Sequence, residues 1–215
     1  MTSPRVAYLN ARLLDPASGL DTHGALLIED GKIVDLGADL FKDGAPSVSK
    51  VVDCEGLCLA PGLIDGRVQL RQPGEEHKET IETASRAAAA GGVTTMVALP
   101  NTTPVIDDVS VVEFMHRHAK EAGAVRVRCY GSVTRGTMGE QLTEMGLLAE
   151  AGAVAFTDGT RAVANTMVMR RALSYARGFD LMIAQHPEDP QLANGGVMNE
   201  GEIASRLGLG GIPAE

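Results

Sequence analysis

From about residue 60 onward, apolar runs of strand length alternate with stretches of helical pattern. That alternation constrains the fold more than any other feature of the chain. Leu63 to Leu70 reads as a strand and His77 to Ala90 as an alanine-rich helix. Val93 to Leu99 is the next strand, followed by a helix from about Asp107 to Ala122. Val125 to Val133 leads to a helix from about Gly139 to Ala151, and Ala153 to Thr157 to one from about Thr166 to Arg177. Leu181 to Ala184 and a short helix from Glu200 to Leu207 complete the series. Strands separated by helices imply a parallel sheet, because a parallel partner needs a crossover. The fold class is therefore α/β. A doubly wound sheet and a (β/α)8 barrel both suit the pattern, but about five βα units cannot close a barrel that needs eight. The chain stops at Gly211-Ile212-Pro213-Ala214-Glu215 without a polar tail, and the expectation is a domain cut before its end.

Residues 1–57 read differently. Val6 to Leu9, Ala25 to Ile28 and Lys32 to Leu36 are short β-rich segments. Turn clusters at Asp15-Pro16, Ser18-Gly19 and Glu29-Asp30-Gly31 separate them. A small β domain over 1–57, followed by a barrel-type domain over 58–215, is the expected organisation. Apolar residues make up 44% and charged residues 22% of the 215, an ordinary globular balance. The net charge of −9, with no Lys/Arg cluster, argues against a nucleic-acid partner. Met1 to Asn10 has no signal-peptide pattern, and no stretch is long and apolar enough to span a membrane. Cys54, Cys58 and Cys129 are odd in number and lack framework spacing, which fits reduced thiols in a cytoplasmic protein. Cys54 and Cys58 lack the second Cys/His pair that a zinc site would need.

In such sheets chemistry gathers at the C-terminal ends of strands. Alternation along the first strand puts Asp65, Arg67, Gln69 and Arg71 on one face. Such a face either lines a polar cavity or is the solvated side of an edge strand, and spacing leaves both open. Asn101 follows the second strand between Pro100 and Pro104, as a ligand-binding amide or a turn residue. Asp158-Gly159 ends the fourth strand. His186, followed by Glu188-Asp189, ends the fifth, where a metal-ligand role and a structural one weigh evenly. His116 and His118 have the spacing of a metal pair, but they fall within a helix, where residues two apart diverge. His23 falls in an N-terminal turn and His77 opens a helix.

Several segments together resemble the dihydroorotase family of the amidohydrolase superfamily. They are Pro61-Gly62-Leu63-Ile64-Asp65, Leu70-Arg71-Gln72-Pro73-Gly74, Lys78 to Thr83, Ala87 to Thr95, Pro100 to Asp107 and Gly195 to Glu202. The resemblance implies a metal-dependent TIM-type (β/α)8 barrel beside a small β domain, here with the last three βα units missing. It implies the interconversion of N-carbamoyl-aspartate and dihydroorotate in pyrimidine biosynthesis, with zinc as cofactor. Arg71 and Asn101 would hold the substrate carboxylate. Related cyclic-amide hydrolases, allantoinases and hydantoinases, are the neighbouring possibility.

The departures bear on activity. The family's first strand carries Asp-x-His-x-His, whose histidines bind metal; this chain has Arg67 and Gln69 there. A guanidinium offers no lone pair and repels a cation, and glutamine is a poor zinc ligand. Ungapped alignment puts Gly159 at the bridging-ligand position, and a one-residue slip would restore Asp158. No lysine follows Lys120, which excludes a carboxylated lysine. Only His186 survives as a metal ligand, and no catalytic residue can be assigned. The resemblance thus implies a non-catalytic or impaired dihydroorotase-like protein, metal-free or holding at most one weak ion. It would bind a small carboxylate and serve aspartate transcarbamoylase as a scaffold; separately, five units leave sheet edges unpaired, so the chain made alone is expected to be poorly soluble or oligomeric. The remaining alternative is an active enzyme using one metal held from His186 onward.

Overall fold

The computed structural model describes residues 5–44 and 47–213. The chain divides into two compact units, Met1–Gly62 and Leu63–Glu215.

The first unit is a five-stranded sheet of β1 (Arg5–Asp15), β2 (Leu20–Glu29), β3 (Lys32–Gly37), β4 (Lys50–Asp53) and β5 (Cys58–Leu59). The order is β3-β2-β1-β4, with β5 also on β1. β1, β2 and β3 pair antiparallel, and β4 and β5 lie parallel to β1. The strand expected over Val6 to Leu9 continues to Asp15. A bulge between Tyr8 and Ala11 shifts its register, and Asn10 there donates to Asp53 Oδ1 at 2.9 Å. Past the bulge Ala11 and Leu13 turn inward and join Leu26 in a small core. His23 lies within β2, opposite Arg12, rather than in a turn. β4 and β5, which the sequence reading did not single out, are short and mostly exposed.

The second unit is built on three parallel strands, β6 (Leu63–Val68), β7 (Val93–Ala98) and β8 (Arg126–Cys129), in that order. Single parallel bridges continue the series from Gly131 to Phe156 and from Phe156 to Ile183. The fourth and fifth strands are present as backbone pairings rather than as ladders. Five parallel positions follow one another in sequence order, with helices between them: α1 (Ile81–Ala90), α2 (Val109–Ala122), α3 (Met145–Glu150) and α4 (Thr166–Gly178). This is an arc of a TIM-type barrel. Beyond it come α5 (Pro190–Ala193), β9 (Met198–Asn199), α6 (Glu202–Leu207) and β10 (Gly211–Ile212), with β9 and β10 paired in parallel.

Caps set where the helices begin. Thr80 accepts from Thr83 N at 3.2 Å and Thr83 Oγ1 accepts from Thr80 N at 3.0 Å. This reciprocal pair starts α1 at Ile81, so His77 precedes the helix. Asp108 caps α2 through Ser110 N, and Asn165 caps α4. α3 is shorter than expected because residues 141–143 fold back on 133–135. Arg135 N donates to Gln141 O and Thr143 N to Val133 O. The core joins Leu70, Ile81, Met96, Val112, Met115, Met145, Leu148 and Phe156. Burial pushes the Cys129 thiol up to about 12, so it packs as an inert apolar group. His116 faces Gly152 O and His118 faces Phe114 O, so the two rings diverge.

Candidate functional site at the strand ends

A cavity of about 340 Å³ opens where the five parallel strands end. β6 contributes Gly66 and Arg67, and Leu99 and Tyr130 follow β7 and β8. The fourth strand contributes Thr157 and Gly159, and the fifth contributes Ala184 through Pro187, including His186. Tyr130 ties two of these ends together, its hydroxyl donating to Gly66 O at 2.9 Å. No residue of the third strand end had been singled out from the sequence, although a tyrosine just past a strand is the kind of polar group that marks one.

β6 does not keep its alternation as far as Arg71. Its pairing with β7 shifts between Asp65 and Val68, and the strand stops there. Asp65 Oδ1 turns back to accept from Arg67 N at 3.0 Å. Gln69 is exposed and outside the cavity lining, and Leu70 is buried. Arg71 pairs through Nη1 with Glu75 Oε2 at 3.0 Å, and Glu75 also pairs with Lys78. These cations hold the Glu75 carboxyl below its ordinary range, Lys78 contributing most. Thr103 N donates to Pro73 O at 3.1 Å, joining the loop after β6 to the loop after β7. Gly74 makes that join possible: its φ is +107° and a Cβ there would fall 2.4 Å from Thr103 O.

Asp158 points away from the cavity. It is 2% exposed. Its Oδ1 accepts from Val133 N and Thr134 N, each at 2.9 Å, and its Oδ2 accepts from the Thr134 hydroxyl. Burial outweighs these hydrogen bonds and raises its pKa above the ordinary carboxylate value. Thr157 and Gly159, its neighbours on either side, line the cavity instead.

Gly159 has φ +70°, and a Cβ built on it would lie 1.7 Å from Asn101 Oδ1. Asn101 has moved into the space a side chain at 159 would need. Its Nδ2 donates to Asp158 O at 3.3 Å, and its Oδ1 is buried without a partner. His186 Nε2 stands 3.7 Å from Glu188 Oε2 at the rim.

A zinc ion needs three or four N, S or carboxylate donors converging on one point. Among the described residues no group of three or more His, Cys, Asp or Glu is placed to hold one. Of the residues the sequence offers for a metal centre, Arg67 is a guanidinium, Gln69 an exposed amide, Asp158 is bonded to residues 133–134, Gly159 has its side-chain space filled by Asn101, and His186 is the one imidazole. Among the described residues this set does not fit the metal.

Residues 56–215 match the dihydro-orotase-like family. The chain is 51% identical over 209 residues to the dihydroorotase of Wolbachia sp. subsp. Brugia malayi, covering 97% of this chain and 47% of that protein. It is 50% identical over 209 residues to the dihydroorotase of Ehrlichia canis, with 97% and 46% covered. The chain thus spans about half the length of these relatives. Among solved structures, the L-hydantoinase (dihydropyrimidinase) from Arthrobacter aurescens superposes with a TM-score of 0.73 at 23% identity, over 91% of this chain and 43% of that one. A dihydroorotase crystal structure gives 0.53 at 15%, over 83% and 50%. At these identities the structural likeness speaks for the fold: a partial TIM-type barrel of α/β class, preceded in sequence by a β-rich N-terminal region. On its sequence, the chain belongs to the dihydro-orotase-like family.

Proposed function

We propose that this chain is a dihydroorotase-like protein of pyrimidine biosynthesis that does not turn over substrate. In this reading it binds a small carboxylate and acts as an assembly scaffold for aspartate transcarbamoylase. The strand end at 158–159 carries the non-catalytic part: Asp158, one candidate for the bridging ligand, has both oxygens bonded to residues 133–134, and Gly159, the other, has Asn101 in the space beside it. The family's zinc polarises the scissile amide and brings a bound water to a pKa near neutral. Arg67 brings positive charge to the same strand end but cannot ionise a water in that way.

The carboxylate-binding part rests on Arg71 and Asn101. Arg71 uses Nη1 on Glu75 and keeps its other edge for a ligand. Asn101 would have to release Asp158 O before donating to a substrate. His186, with Glu188 beside it, stays as a lone imidazole.

The test is dihydroorotate hydrolysis by the intact gene product with zinc in excess. The expected result is no turnover above a metal-free blank. Clear zinc-dependent turnover would overturn the proposal. The scaffold role has its own test: deleting the gene should lower the assembly or activity of aspartate transcarbamoylase, and an unchanged carbamoyltransferase would sink that role.

A further inference from the structure

Past the fifth strand, the turn between α5 and β9 has the sequence Ala193-Asn194-Gly195-Gly196. Asn194 closes the short helix α5 in the left-handed region, at φ 33° and ψ 46°, and its N–H donates to Pro190 O at 3.2 Å. Asn194 and Gly195 are both exposed. Among the described residues neither the Asn194 side-chain amide nor the Gly195 N–H makes a hydrogen bond.

That combination has a chemical consequence. The nitrogen after an asparagine can attack the asparagine Cγ and close a five-membered ring, with the advantage that both groups belong to one chain. The attack needs a nitrogen without an acceptor and an approach without a clash. A following glycine hinders it least, because it has no Cβ. The five asparagines of the chain differ in these respects. Asn10 gives Nδ2 to Asp53 and precedes the fully buried Ala11. Asn101 gives Nδ2 to Asp158 O, and the next nitrogen, of Thr102, donates to Pro100 O. Asn165 caps α4 through Oδ1 and precedes the β-branched Thr166. Asn199 is followed by Glu200, whose N–H donates to Ile212 O at 2.9 Å. Asn194 alone precedes a glycine, and alone has both reacting groups free among the described residues.

We infer that Asn194 is a modification site, at which the chain converts its own asparagine to aspartate and isoaspartate. The Gly195 nitrogen gives its proton to solvent base and bonds to Asn194 Cγ. The Cγ–Nδ2 bond breaks, and Nδ2 leaves as ammonia with a proton from water. Water then opens the succinimide. Addition at Cγ leaves aspartate, and addition at the main-chain carbonyl leaves isoaspartate. Ring closure requires Asn194 to turn about ψ, which opens the cap to Pro190 and the bond from Gly196 N to Ala193 O. Both lie at the end of a helix with no buried residue, so the opening is local.

The isoaspartyl product has one more carbon in the main chain just before Gly196. Gly196 has no room to shift: a Cβ on it would lie 2.5 Å from Ile212 Cγ1 and 2.9 Å from Gly211 O. The bonds from Val197 N to Gly210 O and from Glu200 N to Ile212 O follow directly. Isoaspartate therefore loosens the β9–β10 pair, whereas aspartate adds charge and leaves the main chain as it was. None of this depends on whether the chain turns over substrate.

The test is peptide mapping by mass spectrometry of the full chain held at mildly alkaline pH, with the five asparagines compared in one sample. Asn194 should convert at least about tenfold faster than any other, with ammonia released in step. Asn194→Gln, which would need a larger ring, should abolish that ammonia. The free peptide of residues 190–200 sets the unprotected rate, and the native chain should stay within about a hundredfold of it. A slower native rate overturns the inference, as does faster conversion of any other asparagine or undiminished ammonia from Asn194→Gln. Hydrogen exchange on the separated products reads the effect on the strands. The Val197 and Glu200 amides should exchange faster in the isoaspartyl form than in the parent, and at the parent's rate in Asn194→Asp. Equal exchange in all three would overturn the link to β9 and β10.

Discussion

At the end of β6 Arg67 stands exposed, its guanidinium without a partner among the described residues, whereas at the end of the fourth strand Asp158 is 2% exposed and both its carboxylate oxygens are taken. Both ends belong to one arc of parallel strands. They are built in opposite ways. The fourth strand end has closed on itself, with Asp158 holding the 133–134 backbone and Asn101 packed on Gly159. The first strand end stays open and carries an exposed cation. Strand ends of one arc therefore take two forms here, one that consolidates the fold and one that leaves a charged group to solvent.

The largest expected effect tests the closed end. Phe156 is fully buried and carries the bridges to Gly131 and Ile183. Phe156→Ala should cost about 3–5 kcal/mol in chemical denaturation, and a loss below about 1 kcal/mol would mean that the fourth strand is not held by its core.

Asp158→Ala comes next. It leaves two buried N–H groups and a hydroxyl without their acceptor, at about 3 kcal/mol, whereas Asp158→Asn keeps an oxygen for both N–H groups and should cost less. The asparagine variant also isolates a pH effect. Because the folded pKa of Asp158 is raised, its contribution is complete below its unfolded value of about 4 and is lost as pH rises through the folded value. The stability of the parent relative to Asp158→Asn should therefore fall as pH rises above about 4. A difference that grows with pH would show that the hydrogen bonds, not burial, control this carboxyl. Asp108 and Glu75, whose pKa values are lowered, act with the opposite sign and lose their contribution on acidification.

Gly159→Ala sharpens the comparison further. Strain at φ +70° and displacement of Asn101 should cost about 2 kcal/mol together. In Gly159→Ala/Asn101→Gly the penalty should shrink, with a coupling of about 1 kcal/mol in a double-mutant cycle. Additive losses would mean that the two side chains do not compete for space. The smallest effect belongs to the open end: Glu75→Gln removes the partly exposed ion pair to Arg71 and should leave the denaturation midpoint within experimental error.

Much of the fold was legible because periodicity reports it directly. The parallel strand order and the helices after the first, second and fourth strands follow from apolar spacing and from local caps such as Asp108 and Asn165. The helix after the third strand was overextended because its first residues pair with 133–135, a contact that spacing does not carry. The fourth and fifth strands were legible as apolar runs, but each is a single bridge. At the site, the polar character of Arg67 and Gln69 near the first strand end could be read from the chain. The pairing of Asp158 with residues 24 and 25 positions away, and of Asn101 with a backbone 57 positions away, could not. The four-residue polar face failed because a register shift ends β6 at Val68.

The contact between Gly159 and Asn101 also bears on how such a chain can change over time. With the amide of Asn101 settled where a side chain at 159 would begin, any residue larger than glycine arriving at that position by one substitution would meet a blocked space. Position 159 can therefore change only after Asn101 has given way, so the order of two substitutions, and not only their number, decides which sequences this strand end can reach.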